Sequence, residues 1–182
     1  MILTGFMGSG KTTAGKRVAK SSGKEFIDLD HYIVEEIGQS ISSIFESQGE
    51  SGFREIEREA LKKVINNTDA VISTGGGIIT YEESRALLKD NENHNVYFLS
   101  APFELLYERV KNDTGRPMLK NGYDATKELY ESRLGFYEET SHYQVDASLD
   151  ADEIEAILLE LEGLAGSRRQ LESKNLPNNS TY

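Results

Sequence analysis

The 182-residue chain has no cysteine. That excludes disulfide bonds, thiolate metal sites and a cysteine nucleophile, and makes a cytoplasmic setting the expectation. Bases are the minority, with 20 Lys and Arg against 31 Asp and Glu and a formal net charge of −11. Gripping nucleic acid by its phosphates, or an anionic membrane surface by a polybasic segment, requires clustered excess Lys and Arg, so neither partner is expected. Three prolines and 16 glycines are too few to suggest a low-complexity or disordered chain. No apolar run approaches the roughly 20 residues of a membrane-spanning helix. Met1-Ile2-Leu3-Thr4-Gly5 shows no basic region ahead of an apolar stretch, so no signal peptide is expected. The length suits one compact domain.

Charge is unevenly spread. Residues 1–24 hold five bases (Lys11, Lys16, Arg17, Lys20, Lys24) and no acid, whereas residues 124–162 hold twelve acids and two bases, Lys127 and Arg133. The basic stretch surrounds a glycine-rich segment and reads as the positive wall of an anion site, with the acids placed on distant late helices.

Short apolar strands alternate with helical patterns. Ile2-Leu3, Phe26-Ile27, Ala70–Ser73, Val96–Leu99 and Tyr143–Val145 read as strands. Helices are expected over 11–22, 30–37, from a Ser40 cap, 53–64, 81–88, 102–111, 126–141 and 150–162. This alternation predicts a three-layer α/β/α fold with a central parallel sheet of about five strands. The polar segment 112–124 reads as a mobile lid. Residues 163–182 lack an apolar face and read as a flexible tail, leaving 1–162 as a single domain.

Gly5-Phe6-Met7-Gly8-Ser9-Gly10-Lys11-Thr12 matches G-x-x-x-x-G-K-[ST] between a strand and a helix. The glycines let successive N–H groups converge on one centre, and the helix beginning near Lys11 adds its positive end. Lys11 can reach β- and γ-phosphates, and the Thr12 hydroxyl is a hard ligand for Mg²⁺. The guanine-reading N-K-x-D pattern is absent, which sets GTP switching aside.

Four further features suit a small anionic acceptor bearing a hydroxyl. Asp28 and Asp30 end the second strand, where two acids can serve a metal and an acceptor hydroxyl, or stand as solvated loop acids. Arg54 and Glu57 lie three residues apart on one helix, so the carboxylate can hold the guanidinium for a ligand or form a plain surface pair. Gly75-Gly76-Gly77 follows a buried strand and permits close approach of a ligand, or makes a simple turn. Arg116-Pro117 in segment 112–124, followed by Arg133, fits a lid that brings positive charge to a transferring group, although a lone loop arginine is ordinarily just solvated.

Taken in order, G-F-M-G-S-G-K-T-T, F-I-D-L-D, G-F-R-E-I-E, V-I-S-T-G-G-G and R-P-M-L, with R-L-G-F-Y after them, resemble the shikimate kinase family over about residues 1–162. The resemblance implies a P-loop NTPase domain of the nucleoside-monophosphate-kinase type, with ATP and Mg²⁺ as cofactors. Gly8, Ser9, Gly10, Lys11, Thr12 and Thr13 would hold the ATP phosphates, and Arg116 would close over them from the lid. Thr12 would ligate the metal with support from Asp28. Asp30 would bind the acceptor hydroxyl as base or orienting group. Arg54 and Arg133 would clamp the carboxylate of shikimate, with Gly75, Gly76 and Gly77 beside it, Glu57 orienting Arg54, and Phe45 and Phe53 as apolar walls. Lys11, Asp30 and Arg116 would form the catalytic set. The expected activity is transfer of the ATP γ-phosphate to the shikimate 3-hydroxyl by a monomer. The family often has Pro where this chain has Gly135, and a further Arg near Asn112. Two rivals are a kinase of the same fold acting on gluconate or a nucleoside monophosphate, and a catalytically silent homologue. The Arg54/Arg133 pair speaks against the first, and intact Lys11, Asp30, Arg54, Arg116 and Arg133 against the second.

Overall fold

A computed structural model of the chain describes residues 1–113 and 122–175, with side chains through residue 163. Among the described residues, strands β1 (Ile2–Thr4), β2 (Glu25–Asp28), β3 (Ala70–Ser73), β4 (Val96–Ser100) and β5 (Tyr143–Asp146) form one parallel sheet in the order β2-β3-β1-β4-β5. Short β1 pairs on both sides, Ile2 with Ile72 and Val96, and is wholly buried. A near-continuous apolar run is what a strand covered on both faces requires.

The helices are α1 (Lys11–Ser22), α2 (Leu29–Ile37), α3 (Ile41–Val64), α4 (Glu82–Asp90), α5 (Phe103–Val110), α6 (Gly122–Thr140) and α7 (Ala151–Asn175), with a 3-10 turn at Ile78–Thr80. Neighbouring residues of β4 show the layering, because successive side chains leave a strand on opposite faces. Tyr97 meets Glu162 of α7 through a 2.5 Å hydrogen bond, and Phe98 stacks on Tyr137 of α6 with ring centres 5.0 Å apart. Helices α1 and α7 therefore cover one face, and α6 covers the other.

Local chemistry explains most boundaries. Asp28 caps α2 by accepting from the His31 N–H, and Ser40 caps α3 by accepting from Ser43. Helix α3 is two helical pieces, as its pattern suggests, joined through Gly49 at φ 69°, ψ −175°, a conformation that favours glycine. Two expectations change. Helix α6 begins at Gly122 rather than Thr126, with the Thr126 hydroxyl returning to the Gly122 carbonyl at 2.7 Å, so 122–124 are helical rather than loop. Helix α7 continues past Glu162 to Asn175. Residues 163–175 of this helix lack the apolar face that Ile154 and Leu158 supply earlier, but their Leu, Ala, Glu, Arg and Gln have high intrinsic helix propensity. No helix among the described residues is long and apolar enough to cross a membrane.

Candidate active site

The phosphate loop joins β1 to α1 where β1 lies between β3 and β4, the point at which strand order reverses and ligands of open α/β sheets bind. Lys11 Nζ lies back over the loop, donating to the carbonyls of Gly5 at 2.7 Å and Phe6 at 3.1 Å and to Ser9 Oγ at 3.4 Å. Ser9 is buried, whereas Gly10, Thr12 and Thr13 are exposed at the start of α1. The first turn of α1 contains no acid, so the helix end keeps its positive potential. Helix α5 braces the loop from behind, since a Cβ on Gly8 would lie 2.5 Å from the Leu106 carbonyl oxygen. Arg109 of α5 donates to the Gly8 carbonyl at 3.2 Å and to the Ala147 carbonyl at 2.9 Å. This second cation against the loop was not foreseen. Nothing in its local sequence marks it, and only the fold brings 109 to residue 8.

Thr12 Oγ1 donates to Asp28 Oδ2 at 3.0 Å, and Asp28 Oδ1 accepts from the His31 N–H at 3.3 Å. One hydroxyl and one carboxylate beside a phosphate loop are the sparse hard-oxygen donor set that suits Mg²⁺, which keeps several waters and takes further ligands from phosphate. A dedicated cage of three or more His, Asp or Glu is absent among the described residues. The residues present therefore fit the expected metal.

The acceptor side forms at the carboxyl end of β3. Arg54 and Glu57 are both buried, joined by a 2.7 Å bond from Arg54 Nη1 to Glu57 Oε2, with Glu50 3.5 Å from Nη2. The guanidinium lies so close to Gly77 that any Cβ there would overlap it. A Cβ on Gly75 would sit 2.7 Å from Glu57 Oε1 and 3.0 Å from Asp30 Oδ1, so the glycine lets both carboxylates reach one spot. From α6, Arg133 Nη1 donates to the Gly76 carbonyl at 3.4 Å, and the Tyr137 hydroxyl donates to the same oxygen. Phe45 and Phe53 pack with ring centres 4.6 Å apart, and Arg54 lies 5.1 Å over the Phe53 ring.

The electrostatics favour an anion. Burial, helped by neighbouring Asp30, pushes the Glu57 carboxyl up to about 7 against the pull of Arg54. Burial lowers the Arg133 guanidinium, and Arg54 pushes in the same direction. Two buried guanidinium groups thus face Glu57, whose ionisation burial opposes, while Glu50 and Asp30 approach the same pocket from its edges. Among the described residues, Arg54 Nε and Glu57 Oε1 are buried without a hydrogen-bond partner.

Lys11, Thr12, Asp28, Asp30, Arg54, Glu57, Gly75–Gly77 and Arg133 thus gather along the carboxyl ends of β1, β2 and β3. Arg116 lies outside the described residues. The reading of the basic stretch is corrected. Arg17 pairs with Asp152 and, at 2.7 Å, with Glu155, while Lys24 lies 3.7 Å from Glu162. Arg17 on α1 and Lys24 just beyond its end thus pair with the acidic helix α7 and not with the phosphate loop.

A phosphate loop at the switch point, a hydroxyl–carboxylate pair beside it and a small buried cationic pocket define a small-molecule kinase of the P-loop class. The family model described as shikimate kinase matches residues 7–162. A shikimate kinase from Caldicellulosiruptor bescii is 45% identical over 139 residues, which is 75% of this chain and 80% of that protein. Among solved structures, shikimate kinase from Acinetobacter baumannii in complex with shikimate superposes with a TM-score of 0.81 at 35% identity, over 92% of each chain. That from Aquifex aeolicus gives 0.77 at 38% identity, over 91% of this chain and 98% of its own. The chain belongs to the shikimate kinase family.

Proposed function

We propose that the protein transfers the γ-phosphate of ATP to the 3-hydroxyl of shikimate, giving 3-phosphoshikimate and ADP. The observation that carries this reading is the convergence of buried Arg54 and Arg133 on the Gly76–Gly77 turn, beside the phosphate loop. Two guanidinium groups suit a planar carboxylate, which they can bind through paired hydrogen bonds. With its carboxylate held there, a cyclic polyol acid would lie against Phe45 and Phe53 and present a hydroxyl toward Asp30. Asp30 orients that hydroxyl and accepts its proton as the oxygen attacks. Lys11 leaves the loop carbonyls for the phosphate oxygens and offsets the charge of the transferring group. Thr12 and Asp28 would hold Mg²⁺, which supplies charge neutralisation at the β- and γ-phosphates. Phosphoryl transfer through a loose transition state needs mainly this positioning and neutralisation.

A coupled ADP-release assay across acceptors tests the reading. Turnover with shikimate and none with gluconate or AMP is expected. Turnover of either of those without shikimate would overturn it.

A further inference from the structure

We propose that Tyr137 is a positioning residue for this reaction. Its hydroxyl holds the Gly76 carbonyl, which keeps the Gly75–Gly77 turn registered on the phosphate loop and leaves Arg133 free to turn to the acceptor. The role of Arg133 rests on the reading above; the anchoring of the turn does not.

Arg133 and Tyr137 are one turn apart on the same face of α6, and both donate to the Gly76 carbonyl oxygen. At 3.4 Å the arginine bond is longer than the about 2.9–3.0 Å of a good N–H···O bond, so the hydroxyl is the stronger partner. The Tyr137 ring is wholly buried and stacked on Phe98 at an interplanar angle of 13°. Its hydroxyl is therefore aimed by β4, the strand next to β1, and not by a mobile side chain. The turn it holds abuts the phosphate loop, since a Cβ on Gly76 would lie 3.5 Å from the Gly5 carbonyl oxygen, 3.7 Å from the Met7 nitrogen and 3.6 Å from the Tyr137 oxygen. Movement of Gly76 is thus movement of the acceptor turn against the donor loop. Without the hydroxyl, the Gly76 carbonyl would depend on Arg133 alone, and an acceptor carboxylate would have to compete with a buried carbonyl for the same guanidinium.

Tyr137→Phe keeps the ring and its stacking and removes only the donor. Hydrogen–deuterium exchange on the ligand-free full chain should rise roughly five- to tenfold in peptides spanning 74–80, the scale of one neutral hydrogen bond, with exchange in α1 unchanged. In steady state the KM for shikimate should rise by a similar factor and the KM for ATP stay within about twofold. A purely structural role would instead lower Tm and move both constants together. Arg133→Ala supplies a second test that does not depend on the first variant folding. With Tyr137 intact, exchange at 74–80 should remain at the parent level although acceptor binding weakens. Parent-level exchange in Tyr137→Phe, or raised exchange in Arg133→Ala, would overturn the proposal. Absence of shikimate turnover by the parent enzyme would overturn the acceptor reading and leave the exchange result to decide whether Tyr137 anchors the turn.

Discussion

Thr12 donates its hydroxyl proton to Asp28 across 3.0 Å, so the first turn of α1 and the cap of α2 share one hydrogen bond. The carboxylate therefore has two duties, capping a helix and standing beside the phosphate loop. Asp28→Asn separates them, because asparagine caps as well as aspartate but carries no charge. The Mg²⁺ concentration for half-maximal rate should rise about tenfold or more, as for loss of an outer-shell metal partner, with Tm nearly unchanged. Initial rates against Mg²⁺ at fixed ATP measure it, and a superimposable curve would remove Asp28 from the metal site.

Asp30 stands at the spot left open by Gly75, with Glu57 on the other side. Asp30→Asn should retain ATP binding and lose roughly a hundredfold or more in kcat, the contribution of a positioned base. Turnover near the parent rate would show that Asp30 is not the group that takes the hydroxyl proton.

Arg133, far along the chain from Arg54, reaches the same turn, bonding the Gly76 carbonyl while Arg54 lies against Gly77. Arg133→Ala should raise the KM for shikimate roughly 30-fold, about 2 kcal/mol, by removing half of a buried anion clamp. The KM for ATP should change by less than about threefold. Equal losses on both substrates would assign Arg133 to the nucleotide instead.

Two glycines give opposite expectations for one added methyl. At Gly77 the new Cβ would overlap the Arg54 guanidinium, which Glu57 holds in place. Gly77→Ala should therefore cost about 1–3 kcal/mol and weaken acceptor binding, as overpacking does. At Gly135, inside α6, a new Cβ meets nothing within 4 Å. Gly135→Ala should stabilise by about 0.5–1 kcal/mol at unchanged kcat/KM, because alanine loses less freedom in a helix. Thermal melts of the pair decide both. A neutral Gly77→Ala would mean that Arg54 can retreat from the turn.

The parts legible in the sequence were those set by local chemistry. The strand at Ala70–Ser73, the Ser40 cap, the Gly38 stop of α2 and the phosphate loop each depend on a few adjacent residues, and the structure has them where the pattern puts them. Asp28, Asp30 and Arg54 were legible as candidates from a strand end and one helix face, whereas Arg133 took its place beside Arg54 only through the family resemblance. Arg109 and Tyr137 were not, because their partners are single backbone carbonyls, at Gly8 and Gly76, that only the folded sheet brings near. The basic stretch misled for the same reason. The charge of Arg17 could be counted, but its pairing with Glu155 depends on α7 lying beside α1.

Glu57 supplies a pH-dependent test of the buried pair. Burial raises its carboxyl from an ordinary 4.5 to about 7 in the native protein. Below the lower value both states carry the proton. Between the two values the native protein keeps a proton that the unfolded chain has released, so raising the pH across this window removes stability. Above the upper value Glu57 is ionised in both states and the loss is complete. Glu57→Gln cannot ionise and lacks this slope, while the amide retains an oxygen for Arg54. The Tm of Glu57→Gln minus that of the parent should therefore climb as pH is raised from about 5 to about 8. Melts at several pH values in matched ionic strength measure the trend. A difference that stays flat, or falls, would mean that the Arg54 bond outweighs burial and that Glu57 is ionised throughout.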